Sequence, residues 1–388
     1  MTHPTPLYLD NAATSYPKPD AVYASVIKYM RENGASPGRG NYARALEADR
    51  LVYEARKAIA SLLGAPRPSQ VIFTCNATES INIALKGYLR QGDRVLTTGY
   101  EHNAVARPLK KLEDQRRIQV DRVPCTAEGA LDMESVKAKL QDGVRLLAVS
   151  HASNVIGCVT PLEELVAAAH ERGAAVLADA AQTAGAYPVD VTAVPVDMLA
   201  FTGHKGLLGP TGTGGLYLRK GLELSTLKEG GTGGMSLSPF PPDDPPDRYE
   251  AGTMNISGIA GLRASAQYLL DIGVDAVRAH EARLSGLLLD GLESVPKLTC
   301  YGPRSAENRI GLVSFNIEGH DPHKVSMRLD RDYGIMVRSG LHCAPEAHRL
   351  LGTAPIGAVR ASIGYFNQPS DIERFVGALG EIASLPPD

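Results

Sequence analysis

From residue 70 to residue 218 the chain alternates short apolar runs with helical patterns, and no other feature restricts its fold as tightly. Apolar runs at 70–74, 94–98, 118–123, 145–150, 174–178, 197–201 and 214–218 predict strands, and the periodicity of 78–89, 103–115, 133–140 and 162–172 predicts helices between several of them. Strands joined through helices of that length need crossover connections, which predicts an α/β fold on a mostly parallel sheet wrapped on both faces. In such sheets ligands gather beyond the carboxyl ends of the strands. The residues that end each run are therefore the candidates for chemistry.

One of those ends carries a lysine. The run at 197–201 leads into Thr202-Gly-His-Lys-Gly206, crosses a glycine-rich bend and resumes at 214–218. Two strands flanking Lys205 hold its amine at the sheet rim, where partial desolvation favours the neutral, nucleophilic form. Thr202 and His204 add donors suited to a phosphate, and together they suit a Schiff-base lysine for an aldehyde cofactor bearing a phosphate, pyridoxal phosphate. The rival is a solvated lysine beside an ordinary turn. A nucleotide-binding loop fails, because the lysine precedes the glycines instead of following them.

The other ends add partners. Cys75-Asn-Ala-Thr78 opens a helix whose first N–H groups and Thr78 hydroxyl make a phosphate seat, unless Asn76 or Thr78 is simply an N-cap. His102 can stack on a flat ring or move protons, or lie on the surface. Asn154 reaches toward a ring or a carboxylate. Asp179 can keep a pyridine nitrogen protonated, or serve as a turn residue.

The flanks suggest further units. The entry segment 1–19, with Pro17 and Pro19, reads as an extended strap, followed by helices at 20–32 and 45–63. A proline-rich spacer at 239–247 marks a domain boundary, giving a large domain over 20–246 and a small α+β domain over 247–388. The small domain has helices at 259–272, 275–292, 321–333 and 370–382, and strands at 311–317, 335–338 and 359–363. No internal repeat is present. In it, Cys343 stands beside His342 in a Gly- and Pro-bounded loop, and histidine or cationic neighbours favour the reactive thiolate over an incidental thiol. Arg360 is a charge inside an apolar run and needs an anion, either a substrate carboxylate or a structural partner.

Composition removes several classes. A formal charge of −3 leaves no footprint for nucleic acid or a membrane surface. No apolar run reaches a membrane-spanning length, and the N-terminus lacks a signal peptide's features. Five cysteines without a C-x-x-C pair argue for reduced thiols in a cytoplasm, and no metal is assigned.

With those residues assembled, the chain resembles the class V aminotransferases, specifically the cysteine desulfurases, along nearly its whole length. The resemblance rests on Leu9-Asp-Asn-Ala-Ala-Thr14, Ala77-Thr-Glu-Ser80, Asp179-Ala-Ala-Gln182, Thr202-Gly-His-Lys-Gly206, Ala251-Gly-Thr253, Arg338-Ser-Gly-Leu-His-Cys-Ala-Pro345 and Arg360-Ala-Ser362 in this order. It implies the fold-type I architecture of pyridoxal-phosphate transferases. It also implies that Lys205 holds the cofactor aldehyde and moves protons. Asp179 would meet the pyridine nitrogen, Gln182 the ring hydroxyl, and His102 the ring face. Ala77, Thr78, Thr202 and His204 would hold the phosphate, with Thr253 arriving from the second subunit of a homodimer. Arg360, Arg338, Asn154 and the Ala12–Ala13 segment would fix the substrate carboxylate, and Cys343 would take sulfur from L-cysteine and pass it to an acceptor protein.

Only 17 positions separate Cys343 from Arg360, which is similar to the short-loop branch that includes selenocysteine lyase-like enzymes. Leu341 departs from that branch, which often has histidine there, as do Gly40-Asn-Tyr42 and the segment 230–235. A selenocysteine lyase, a β-lyase, an aminotransferase and a non-catalytic protein of the same fold remain rival readings. The destination of the sulfur, among iron–sulfur cluster assembly, tRNA and a specialised pathway, stays open.

Overall fold

In a computed structural model, the structure describes residues 5–38, 40–115, 117–141, 143–232 and 237–387. Part of the segment 230–235 singled out above therefore lies outside the described residues. The chain begins with β1 (Leu7–Tyr8), α1 (Asp20–Lys28) and α2 (Ala43–Leu62). It then runs β2 (Val71–Thr74), α3 (Ala77–Tyr88), β3 (Asp93–Thr98), α4 (Asn103–Asp114), β4 (Ile118–Val123), α5 (Met133–Leu140) and β5 (Val144–Ser150). The alternation closes with α6 (Leu162–Glu171), β6 (Ala175–Asp179), β7 (Met198–Thr202) and β8 (Gly214–Leu218).

Among the described residues these strands form a seven-stranded sheet in the order β2-β8-β7-β6-β5-β3-β4. Only β8 runs antiparallel to its neighbours, because the tight bend around Lys205 returns the chain directly beside β7. Strands β6, β7 and β8 are buried along their whole length, which is why they read as continuous apolar runs without alternation. One face packs on α2, α5, α6 and α7 (Ile256–Ile272) through Val52, Ile59, Val166, Leu199 and Leu262. The other packs on α3 and α4 through Ile81, Leu85 and Leu109. The mostly parallel, doubly wrapped sheet follows the sequence expectation.

After α7 come α8 (Val274–Glu293), β9 (Leu298–Tyr301), β10 (Leu312–Ile317), α9 (Pro322–Tyr333), β11 (Ile335–Met336), β12 (Arg338–Gly340), α10 (Pro345–Leu350), β13 (Ala358–Ser362) and α11 (Pro369–Ala383). A four-stranded sheet, β12-β13-β10-β9, packs on α8, α9 and α11 through Leu288, Phe315, Leu329 and Phe375. The entry strap belongs to this unit as well: β1 pairs with β11, and Leu7 and Leu9 enter its core.

The change of packing unit differs from the expected boundary at 246/247. Ile256, Leu262 and Leu269 of α7 lie in the large core, whereas Leu284 and Leu288 of α8 lie in the small one. Glu250, just past the proline-rich spacer, is also tied to the large unit by a bidentate pair with Arg56 at 2.6 and 2.8 Å. Gly273, with φ of 82°, turns α7 into α8, and the chain changes core within α8, since Val277 still lies in the large core.

Candidate functional site

Every parallel strand of the large sheet ends on the same edge, and there the candidate residues converge. A cavity of about 490 Å³ is lined by Asn76, Ala77, Thr78, His102, Asn154, Asp179, Gln182, Thr202, His204 and Lys205, with Ala104, Ser150, Ala152 and Ala181 completing the wall. The sequence names most of these lining residues, Asn76 only as a cap, and does not single out Ser150, Ala104, Ala152 or Ala181.

The local sequence explains how each is held. Gly203 and Gly206 bracket His204-Lys205 because a Cβ at Gly206 would come within 2.7 Å of the Ala184 carbonyl, and one at Gly203 would overlap the Thr213 hydroxyl. Lys205 is half-buried between them. Burial brings its amine down to about 8, against the opposing pull of Asp179. Asp179 is buried at the end of β6; that burial raises its carboxyl, offset by the Ala181 N–H at 2.9 Å and by Lys205.

His102 is the N-cap of α4, its Nδ1 accepting from Ala104 N–H at 3.0 Å. The cap fixes the tautomer with the proton on Nε2, and the residue lines the cavity. Burial and the cations Lys205, Arg338 and Arg360 push the imidazole down to about 4, so it is neutral near pH 7. At α3 the cap is Asn76, which accepts from Glu79 N–H at 2.9 Å and leaves the Thr78 hydroxyl and the Ala77 and Thr78 N–H groups for a ligand. His204 Nδ1 is buried with no partner.

The thiol approaches from the small unit. Asn103 N–H donates to the Cys343 carbonyl at 2.8 Å, and Asn154 Nδ2 to the His342 carbonyl at 2.7 Å. Cys343 is exposed. Arg338 Nη2 lies 3.9 Å from the sulfur. Arg360 is almost wholly buried, donating to the Asn154 carbonyl at 3.0 Å and to Asp10 at 2.9 Å, while its Nε has no partner. The structural ion pair weighed for Arg360 is thus present, and one donor is left over.

Besides Arg338, Cys343 and Arg360, three more candidates do not line this cavity. Ala12 lines a neighbouring one with Lys205 and Gln182, its N–H donating to Ser362 Oγ at 2.9 Å and its carbonyl accepting from Gln182 Nε2 at 3.1 Å. Ala13 donates its N–H to the Asp10 carbonyl at 3.0 Å. Thr253 lines a third cavity with Cys75, Glu79 and Gly212.

Comparison with known proteins decides the family. The family model for the class-V aminotransferases matches residues 7–375. The chain belongs to the class-V aminotransferase family. It is 38% identical over 385 residues to a probable cysteine desulfurase of Methanothermobacter thermautotrophicus, covering 98% of this chain and 95% of that one. It is 35% identical to a cysteine desulfurase of Escherichia coli O8, covering 97% and 93%. The apo structure of a cysteine desulfurase from Thermococcus onnurineus superposes with a TM-score of 0.91 at 35% identity, covering 97% and 94% of the two chains. The cysteine desulfurase CsdA of Escherichia coli, in its S-sulfonic acid form, gives 0.87 at 31%, covering 97% and 94%.

Two further residues of this class-V aminotransferase hold the site without lining the main cavity. Lys18 Nζ donates to the Ser15 carbonyl, the Ser15 hydroxyl and the His204 carbonyl at 3.0, 3.0 and 3.3 Å, pinning the strap to the lysine turn. Glu101 is buried between the ends of β3 and β5, accepting from Thr98 Oγ1 at 2.5 Å and from Ser150 N and Oγ at 3.2 and 2.7 Å. Both flank motifs that the sequence flags, but their partners lie in other elements. Among the described residues no His, Cys, Asp and Glu cluster suits a metal, and no helix is long and apolar enough to cross a membrane.

Proposed function

We propose that this chain is a pyridoxal-phosphate-dependent cysteine desulfurase that converts L-cysteine to L-alanine and carries the released sulfur as a persulfide on Cys343. The observation that carries the reading is that the Cys343 loop is fastened to Asn154 in the wall of the Lys205 cavity and to Asn103 beside His102 of that wall. Transamination on this scaffold needs no thiol at that point.

The donor set fits the cofactor. The Lys205 amine suits its aldehyde, Asp179 its ring nitrogen, Gln182 its ring hydroxyl and the His102 face its ring. The unpartnered His204 Nδ1, Thr202, Thr78 and the first N–H groups of α3 suit its phosphate. When bound, pyridoxal phosphate supplies an electron sink for the substrate's α-carbon. The protein does the rest. Arg360 Nε and Arg338 orient the substrate carboxylate, and Asn154 and Ala12 close around it. Lys205, poised near 8, takes the substrate's α-proton and returns a proton to the product carbon. The Cys343 thiolate attacks the substrate sulfur: an S–S bond forms, the C–S bond breaks, and its electron pair stays with the carbon that is protonated to give alanine.

The wider setting follows the same reading. A homodimer is supported by the exposed Tyr23, Ile27, Met30, Tyr42, Leu46 and Tyr53 of the α1–α2 region, with Thr253 facing a cavity at some remove from Lys205. A short cysteine loop favours an acceptor protein that comes to the site, and iron–sulfur cluster assembly is one destination for such sulfur. Five free thiols fit a reducing, cytoplasmic setting. The test compares wild type with C343A on L-cysteine. Equimolar alanine and sulfide under reductant, both lost in C343A, is the expected result; retained turnover in C343A overturns the reading.

A further inference from the structure

His342 and Cys343 are consecutive non-glycine residues with positive φ, 47° and 58°. Such backbone persists only where its surroundings over-determine it. The bonds from Asn103 and Asn154 fix the two carbonyls, but neither reaches the His342 side chain, which is buried. That ring meets a second one. His342 Nδ1 lies 3.2 Å from Nε2 of His348, with the rings 5.4 Å apart and tilted by 30°. His348 is fully buried, and its Nδ1 lies 2.8 Å from Thr353 Oγ1. Its carbonyl accepts from Thr353 and Ala354 N–H at 2.9 and 3.1 Å, which closes the far end of α10 around it.

The proton order is constrained. The Arg338 carbonyl, 3.5 Å from His342 Nε2, can only accept, which places a proton on that nitrogen and leaves Nδ1 bare. His348 Nε2–H then donates to His342, and the Thr353 hydroxyl donates to His348 Nδ1. Both rings are then neutral, as burial also demands by bringing His348 down to about 4 and His342 to about 2.

We propose that His348 and Thr353 are positioning residues for Cys343, forming with His342 a side-chain strut that holds the thiol loop in its left-handed conformation. The strut takes the small-unit side of the loop, opposite the clamp of Asn103 and Asn154. The inference rests on Cys343 being the sulfur-accepting nucleophile.

The test uses the holoenzyme with H348L, H348Q and T353V. H348L removes both bonds, H348Q can keep the donation to His342 Nδ1, and T353V removes only the outer link. A misplacement near 1 Å can cost about 10²-fold in rate. The expected result is a kcat for H348L lower by roughly 10- to 100-fold, with KM for L-cysteine within about twofold, substantial recovery in H348Q and a smaller loss in T353V. Amide exchange across residues 338–344 accelerates in H348L while the large sheet is unchanged. A kcat within about twofold of wild type in both H348L and T353V overturns the proposal. So does a loss shared equally by H348Q and accompanied by lost cofactor or lowered Tm, which marks the pair as core packing alone. C343A runs alongside: retained turnover there removes the nucleophile reading, while exchange in H348L still reports whether the strut holds the loop.

Discussion

Arg338 and Arg360 stand directly opposite one another across the antiparallel ladder of β12 and β13. Like charges so placed repel, and each pushes against the other's protonated form unless an anion lies between them. Asp10 neutralises one side of Arg360, yet its Nε keeps no partner and Arg338 turns toward Cys343. Two strands of the small unit thus present a cationic pair beside the thiol, stabilised by the entry strap and by any carboxylate that enters.

Replacing Arg360 with lysine tests that pair. Lysine keeps the charge but loses the planar fork, so it cannot serve Asp10, the Asn154 carbonyl and a substrate together. Disrupting a buried, hydrogen-bonded charge contact costs upward of about 2 kcal/mol, so KM for L-cysteine in R360K rises roughly 30-fold or more. Steady-state kinetics check this. A KM within about threefold of wild type would leave Arg360 as a structural partner of Asp10 only.

Lys205 makes a prediction in pH. Its amine is brought down to about 8, so about 10% is neutral at pH 7, against roughly 0.03% for an ordinary lysine. Covalent capture of an aldehyde needs the neutral amine. The rate at which apo protein takes up pyridoxal phosphate therefore climbs with pH through about 8 and levels above it, followed by the cofactor's visible absorbance. A rate still rising tenfold per unit between pH 9 and 10 contradicts the lowered value.

The fold was legible where burial was complete. Strands β6, β7 and β8 fell within one residue of their expected bounds because both faces are covered and their apolar runs have sharp ends. The half-exposed edge strand β9 and the six-residue α10 gave no such signal. The run 335–338 conceals a break at Val337, where the chain leaves the strap's strand for the small sheet. The cavity was legible because its residues end strands and sit in distinctive turns. The roles of Lys18, Glu101 and His348 were hidden, since each acts on a group supplied by another element. The proline-rich spacer is compositionally loud, whereas the change of core between Val277 and Leu284 falls inside one helix and leaves no break in the sequence.

Arg56 and Glu250 form the buried pair that fastens the end of that spacer to the sheet. Arg56 also donates to the Val71 carbonyl at 2.5 Å and lies over the Phe73 ring, and Glu250 accepts from Phe73 N–H at 2.6 Å. Removing one partner strands the other charge in the interior, at about 3–5 kcal/mol. R56M lowers the unfolding free energy measured by urea titration by that amount, with a lower midpoint, and adding E250L recovers part of it, because the double variant leaves no unpaired charge. Equal midpoints for R56M and wild type would show that water reaches the pair.

Glu101 yields the last prediction. Burial raises its carboxyl to about 7, against the hydrogen bonds from Thr98 and Ser150 that favour the charged form. The folded state therefore keeps a proton that the unfolded chain releases near its ordinary value of 4.5. Where the folded state binds more protons, stability falls as pH rises, so this group's penalty is absent below about 4.5, grows through the window up to about 7, and is constant above it. The full effect is on the order of 3 kcal/mol. E101Q keeps an acceptor for Thr98 but cannot ionise, so its stability stays flatter across the same window and gains on wild type as pH rises. Urea titrations at pH 5, 6, 7 and 8 on both proteins measure the difference directly. Parallel curves would mean that Glu101 is already ionised at pH 5 and is held there by its three donors, with burial overcome.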